Sequence, residues 1–128
     1  MDIRNELKNL RTTLSDIDAL EECAEEYDKI FGAGNAISEN CRQQRIRKVK
    51  HYNAIIRYID SIPDEEIRSI IRLRYQKRDP YTWGMVNAKV YGYNDSSYSR
   101  KRLERYFASH AEDLDDLISK MDQEDDNS

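Results

Sequence analysis

Only six residues of 128, four glycines and two prolines, readily interrupt a helix, and their positions limit what the chain can form. None precedes Gly32, so the first thirty-one residues carry no obligatory break. Within that stretch Ile3, Leu7, Leu10, Leu14 and Ile17 are spaced alternately by four and three, which keeps a narrow apolar seam on one face of a helix. Leu20, Ala24, Tyr27 and Phe31 extend the seam with some drift. One helix over residues 3–31 is expected. The run Gly32-Ala33-Gly34-Asn35 supplies its C-cap and a turn.

A second helix is expected from about Ile37 to Ile62, with Ile46, Val49, Tyr52, Ile55, Ile56 and Ile59 apolar. Two long helices joined by a short glycine turn make an antiparallel, coiled-coil-like hairpin. A hairpin alone leaves apolar surface wet, so either a second copy covers it, making a homodimer, or the rest of the chain folds onto it as an ordinary helical core. Cys23 and Cys41 fall on its two arms. They could face each other there, or be two small buried thiols of a reducing compartment. No CxxC pair or histidine cluster accompanies them, so no metal is expected.

Charge is segregated. The net charge is −4, which on its own argues against nucleic acid, but the acids sit at the two ends. Glu21 to Asp28 form one acidic cluster, and Glu112, Asp113, Asp115, Asp116, Asp122, Glu124, Asp125 and Asp126 form the other. Between Arg42 and Arg57 there are six basic residues and no acid. That stretch reads as a solvated face paired with the first acidic cluster. Between Ile67 and Phe107 ten basic residues stand against Asp79, Asp95 and Glu104, a local excess of seven. No apolar run approaches about 18 residues, so no membrane span is expected. The first residues lack the apolar core of a signal peptide, and the chain reads as cytoplasmic.

The second half has finer punctuation. Pro63, at a first helical position and followed by Asp64, Glu65 and Glu66, restarts a helix that runs to about Tyr75 and buries Ile67, Ile70 and Ile71. Asp79-Pro80 breaks it. Thr82 can cap a short helix from Trp83 to Val90, with Trp83, Val86 and Val90 facing inward. Gly92 centres a turn, Asn94 or Asp95 can cap, and a basic helix follows from Ser96 to Ser109. Helix, short helix, glycine turn and basic helix are the parts of a helix-turn-helix, whose second helix enters the major groove of double-stranded DNA. Ser96, Ser97, Ser99, Arg100 and Lys101 are the expected donors to bases and phosphates, and Leu103 completes the wedge. Arg102, Arg105, Lys77, Arg78 and Lys89 are the expected phosphate contacts. Past His110 a weak apolar patch, Leu114, Leu117, Ile118 and Met121, precedes a polar stretch from Asp122 expected to be disordered.

The run Ile70-Ile71-Arg72-Leu73-Arg74-Tyr75, then Tyr81-Thr82-Trp83 through Val90-Tyr91-Gly92-Tyr93-Asn94, resembles region four of bacterial sigma factors. It is more similar to phage regulators of the ArpU and RinA kind, over about residues 60–107. The resemblance implies a sequence-specific transcriptional regulator, phage-encoded, working on late genes in a bacterial host and touching RNA polymerase. Gly84 stands where that family has a good helix former. Lys101 stands where it has a buried aliphatic, which shifts the register of the basic helix by one.

The expected fold is therefore all-α: residues 1–62 a hairpin and oligomerisation arm, 63–110 a sigma region four-like helix-turn-helix, and 111–128 an acidic tail, partly disordered. Neither His51 nor His110 has a nucleophile in a glycine-rich elbow beside it, and no phosphate-cradling loop occurs, so no enzyme and no cofactor are expected. Two other classes fit the same parts: a small terminase-like packaging component, and a protein-binding adaptor.

Overall fold

The computed structural model describes residues 2–126. Among them are seven α-helices and no strand: α1 (Ile3–Lys8), α2 (Leu10–Phe31), α3 (Ala36–Ser61), α4 (Glu65–Ile71), α5 (Trp83–Tyr91), α6 (Tyr98–Ser109) and α7 (Asp113–Asp126). A π-helical turn, Arg72–Gln76, continues α4. None of these helices is long and apolar enough to cross a membrane.

The chain forms two compact units. Asn9–Asn53 make one; the residues up to Lys8 and those from Ala54 onward make the other. The expected single helix over 3–31 is interrupted at Asn9, whose backbone sits at φ −92°, ψ 0°. Asparagine is a weak helix former, and the first unit starts there.

In the Asn9–Asn53 unit the turn is built as its glycines allow. Gly32 and Gly34 both take the left-handed region, at φ 91° and 78°. Asn35 then does the capping: its Oδ1 accepts from the Ser38 amide at 2.9 Å, while its Nδ2 donates to the carbonyls of Gly32 at 2.9 Å and Tyr27 at 3.0 Å. Ser38 is buried and donates to the Ala24 carbonyl at 3.0 Å. Ion pairs link Arg42 to Asp28 (2.6 Å), Arg45 to Glu21 (3.7 Å) and Lys48 to Asp16 (3.5 Å), so the first basic stretch is paired with acids as its charge pattern suggests. The hydrogen bond from Arg42 holds the Asp28 carboxyl below its ordinary range. Cys23 and Cys41 are free, half-buried thiols in contact; burial and then the neighbouring sulfur push the Cys23 thiol up.

The second unit has the larger core. Ile3 and Leu7 of α1, Ile55 and Ile59 of α3, Ile62 just after it, Ile67, Ile70 and Ile71 of α4, Val86, Leu103, Phe107 and Leu114 are all buried. Burial of each large aliphatic contributes about 1.5–3 kcal/mol. Pro63 lies just before α4 rather than in its first turn. The Asp64 carboxylate takes the N-cap, accepting from the amides of Glu66 and Ile67 at 3.0 and 3.2 Å. The acidic stretch after Asp122, expected to be disordered, continues α7 as far as Asp126, and Leu114 anchors that helix. Asn127 and Ser128 lie outside the described residues.

Candidate functional site

The strongest candidate is the set α4, α5 and α6, which contact one another in every pairing. Thr82 caps α5, its Oγ1 accepting from the Met85 amide at 3.3 Å. Gly92 closes α5 in the left-handed conformation at φ 86°, donating its amide to the Ala88 carbonyl. Asp95 rather than Asn94 then organises the start of α6. Its Oδ1 accepts from the amides of Ser97 (2.8 Å) and Tyr98 (3.0 Å) and from the Ser97 hydroxyl (3.0 Å). The two amide hydrogen bonds are the main reason its carboxyl lies below the usual range. Because Asp95 claims those donors, α6 begins at Tyr98, two residues later than expected.

The inner face of α6 is Ser99, Leu103 and Phe107, one residue per helical turn. Ser99 was expected among the groove-facing donors. It is instead fully buried, and its hydroxyl donates to Asn87 Oδ1 at 2.6 Å. Asn87, also fully buried, donates through Nδ2 to the Tyr93 carbonyl at 2.8 Å. This buried pair ties α5, the glycine turn and α6 together. Nothing in the periodicity marked Asn87, because an asparagine in a short helix reads as a surface residue.

Arg102, expected at a phosphate, is also occupied. Its Nη2 donates to Asp64 at 3.0 Å, and its Nη1 reaches Glu66 and, at 2.6 Å, the Tyr91 hydroxyl. Tyr91 in turn donates to Glu66 at 3.2 Å and meets Tyr98 edge-on. The cluster joins α6 to the start of α4 and the end of α5. Arg74 has a similar internal role: its guanidinium lies 5.0 Å over the Trp83 ring and donates to the Tyr81 carbonyl at 2.8 Å. Trp83, expected in the wedge, is half-buried under that cation and against Tyr75. Arg68 donates to the Ile62 carbonyl, and Arg72 pairs with Asp60.

No family model, curated protein or solved structure matches this chain.

Of the ten basic residues between Ile67 and Phe107, four (Arg68, Arg72, Arg74 and Arg102) thus bond to other groups of the unit and six are exposed without an ion pair among the described residues. Lys77 covers the Tyr81 ring at 5.0 Å, and Arg78 follows it in the loop before α5. Lys89 lines a groove of about 500 Å³ with Glu65, Glu66, Arg72, Leu73 and Val90. Arg100, Lys101 and Arg105 are exposed on α6 and form no ion pair among the described residues. Lys101 and Arg105, four apart, lie opposite the buried line of α6, and Arg100 lies toward its flank. Ser96 is exposed; Ser97 is half-buried on Asp95. At Gly84 a Cβ would come 2.5 Å from Oδ1 of the exposed Asn94 side chain, which would have to turn aside. Among the described residues no group of histidine, cysteine and carboxylate side chains could hold a metal ion.

Proposed function

We propose that the protein is a sequence-specific DNA-binding transcriptional regulator, not an enzyme, in which α5, the Gly92 turn and α6 act as a helix-turn-helix. In this reading α6 enters the major groove with Lys101, Arg105 and Arg100 toward the DNA, and Lys77, Arg78 and Lys89 answer phosphates. The observation that carries it is the division of labour on α6. One face is buried at Ser99, Leu103 and Phe107, with Ser99 bonded to Asn87 of α5 and Arg102 to Asp64, Glu66 and Tyr91, which leaves unpaired cations on the other.

The antiparallel α2–α3 hairpin serves as a homodimerisation arm. Its support is the apolar surface left in the Asn9–Asn53 unit: Leu14 is 45% exposed, Phe31 61% and Ile46 57%. The resemblance to phage regulators of the ArpU and RinA kind adds late genes, a bacterial host cytoplasm and a contact with RNA polymerase.

The reading is tested by substituting Lys101 and Arg105 singly with alanine and measuring affinity for a DNA site selected from a random pool. A residue that reads a guanine edge loses about 1–3 kcal/mol on the selected site and relaxes discrimination there. A phosphate contact weakens all sequences alike and lowers the salt slope by about one. If neither change alters affinity for any DNA while the fold persists, the α6 surface serves some other contact.

A further inference from the structure

Cys23 of α2 and Cys41 of α3 are both free, both half-buried, and close enough for one thiol to hydrogen-bond the other. Contacts on either side hold the two helices in register at this point. Toward the turn, Ser38 donates its hydroxyl to the carbonyl of Ala24, the residue after Cys23, at 3.0 Å. Away from the turn, Arg45, one helical turn past Cys41, pairs with Glu21 at 3.7 Å, and Lys48 pairs with Asp16 at 3.5 Å. The two sulfurs are therefore brought together by regular helices packed in register, not by a free loop.

Two thiols in contact have a reaction open to them that neither has alone. Joining them releases two electrons, which a small disulfide can accept. One cysteine thiolate attacks a sulfur of the small disulfide, breaks its S–S bond and expels one small thiolate, leaving a mixed disulfide on the protein. The second cysteine gives its proton to water and attacks the protein sulfur of that mixed disulfide, expelling the second small thiolate. The expelled thiolates take up the two protons. The cysteine pair is oxidised by two electrons and the small disulfide is reduced by two. Burial, then the neighbouring sulfur and Glu26, push the Cys23 thiol up, so it is a slow nucleophile and not a catalytic one. The closing step is nonetheless favoured, because the attacking sulfur already lies beside its target.

We propose that Cys23 and Cys41 form a site of reversible oxidation, closed to an intramolecular disulfide by a low-molecular-weight disulfide of the glutathione type and reopened by the corresponding thiol. The closed form clasps α2 to α3 across the Gly32–Asn35 turn. The site lies in the Asn9–Asn53 unit and stands or falls separately from the DNA-binding reading.

The test equilibrates the full chain with mixtures of reduced and oxidised glutathione, traps free thiols by alkylation and reads the intact mass. It is run once in buffer and once in urea that unfolds the chain. In buffer the chain should pass from two alkylated thiols to none, with glutathione adducts a minor species. A cross-link that the fold favours stabilises the fold in return, so the native chain should favour the disulfide about tenfold or more over the unfolded chain. By the same linkage the oxidised protein should need more urea to unfold than the reduced one. Cys23→Ser and Cys41→Ser should each take up at most one glutathione and lose that oxidation-dependent gain. The wild-type comparison in buffer and urea decides the matter even where a variant folds poorly. A native chain that favours the disulfide no more than the unfolded chain, that ends chiefly as glutathione adducts, or that ends as disulfide-linked dimers would overturn the proposal.

Discussion

Ser99 and Arg102 lie within three residues of Lys101 on the same helix, yet they are bonded within the unit while Lys101 is exposed. Ser99→Ala would leave Asn87 Oδ1 buried without its donor, at a cost of about 1–3 kcal/mol. Arg102→Ala would release Asp64, Glu66 and Tyr91 together. Because Arg102 is nearly a third exposed (29%), that loss is expected to be smaller, about 1–2 kcal/mol. Both variants should melt earlier by differential scanning calorimetry while binding DNA with near wild-type affinity at a temperature where they are folded. Lys101→Ala should do the reverse. Were Arg102→Ala to weaken DNA binding without lowering the melting temperature, its assignment to the interior cluster would be wrong. The sequence offered ten cations in one segment and no means of sorting them. Acids thirty-six and thirty-eight positions away, Glu66 and Asp64, decide that Arg102 is held inside, and a distance of that kind leaves no local mark.

At the scale of elements, what could be read was what short-range chemistry dictates. The Gly32–Asn35 turn, the restart beside Pro63, the Thr82 cap and the left-handed Gly92 all follow from glycine, proline and capping residues acting on their immediate neighbours. Three features depended on distant partners and could not be read. Asn9 ends α1, whose Ile3 and Leu7 are buried in the unit that also holds α6; there Arg4 pairs with Glu104 at 2.6 Å. The π-helical turn at Arg72–Gln76 sits where Arg74 reaches Trp83 and Tyr81. The third is α7, whose acidic composition argues for disorder until Leu114 finds a buried position. A tail of surplus acids could be removed with DNA binding equal or tighter, but α7 is part of the core. Leu114→Ala should cost about 2–5 kcal/mol in chemical denaturation. Ending the chain after His110 should cost at least as much, and a truncated protein as stable as the full chain would show that α7 does not hold the unit together.

For the whole molecule, the two units predict two separable properties. Leu10 is buried at 3% and Leu14 is 45% exposed on the same helix, so charge at the two positions should act differently. Leu10→Asp should unfold the Asn9–Asn53 unit, whereas Leu14→Asp should leave helicity intact and shift the mass in solution from dimer to monomer. A wild-type protein that is monomeric at tens of micromolar would remove the dimer from the account, and a ring of eight or more copies would favour a packaging component. DNA binding itself is tested most directly by the salt dependence of the full chain's affinity for duplex DNA. Six outward cations beside a net charge of −4 should give non-specific binding with a Kd on the order of 10⁻⁴ to 10⁻⁶ M at physiological salt, falling steeply as salt rises. No binding at low salt, or an affinity indifferent to salt, would contradict the proposal that α6 meets DNA.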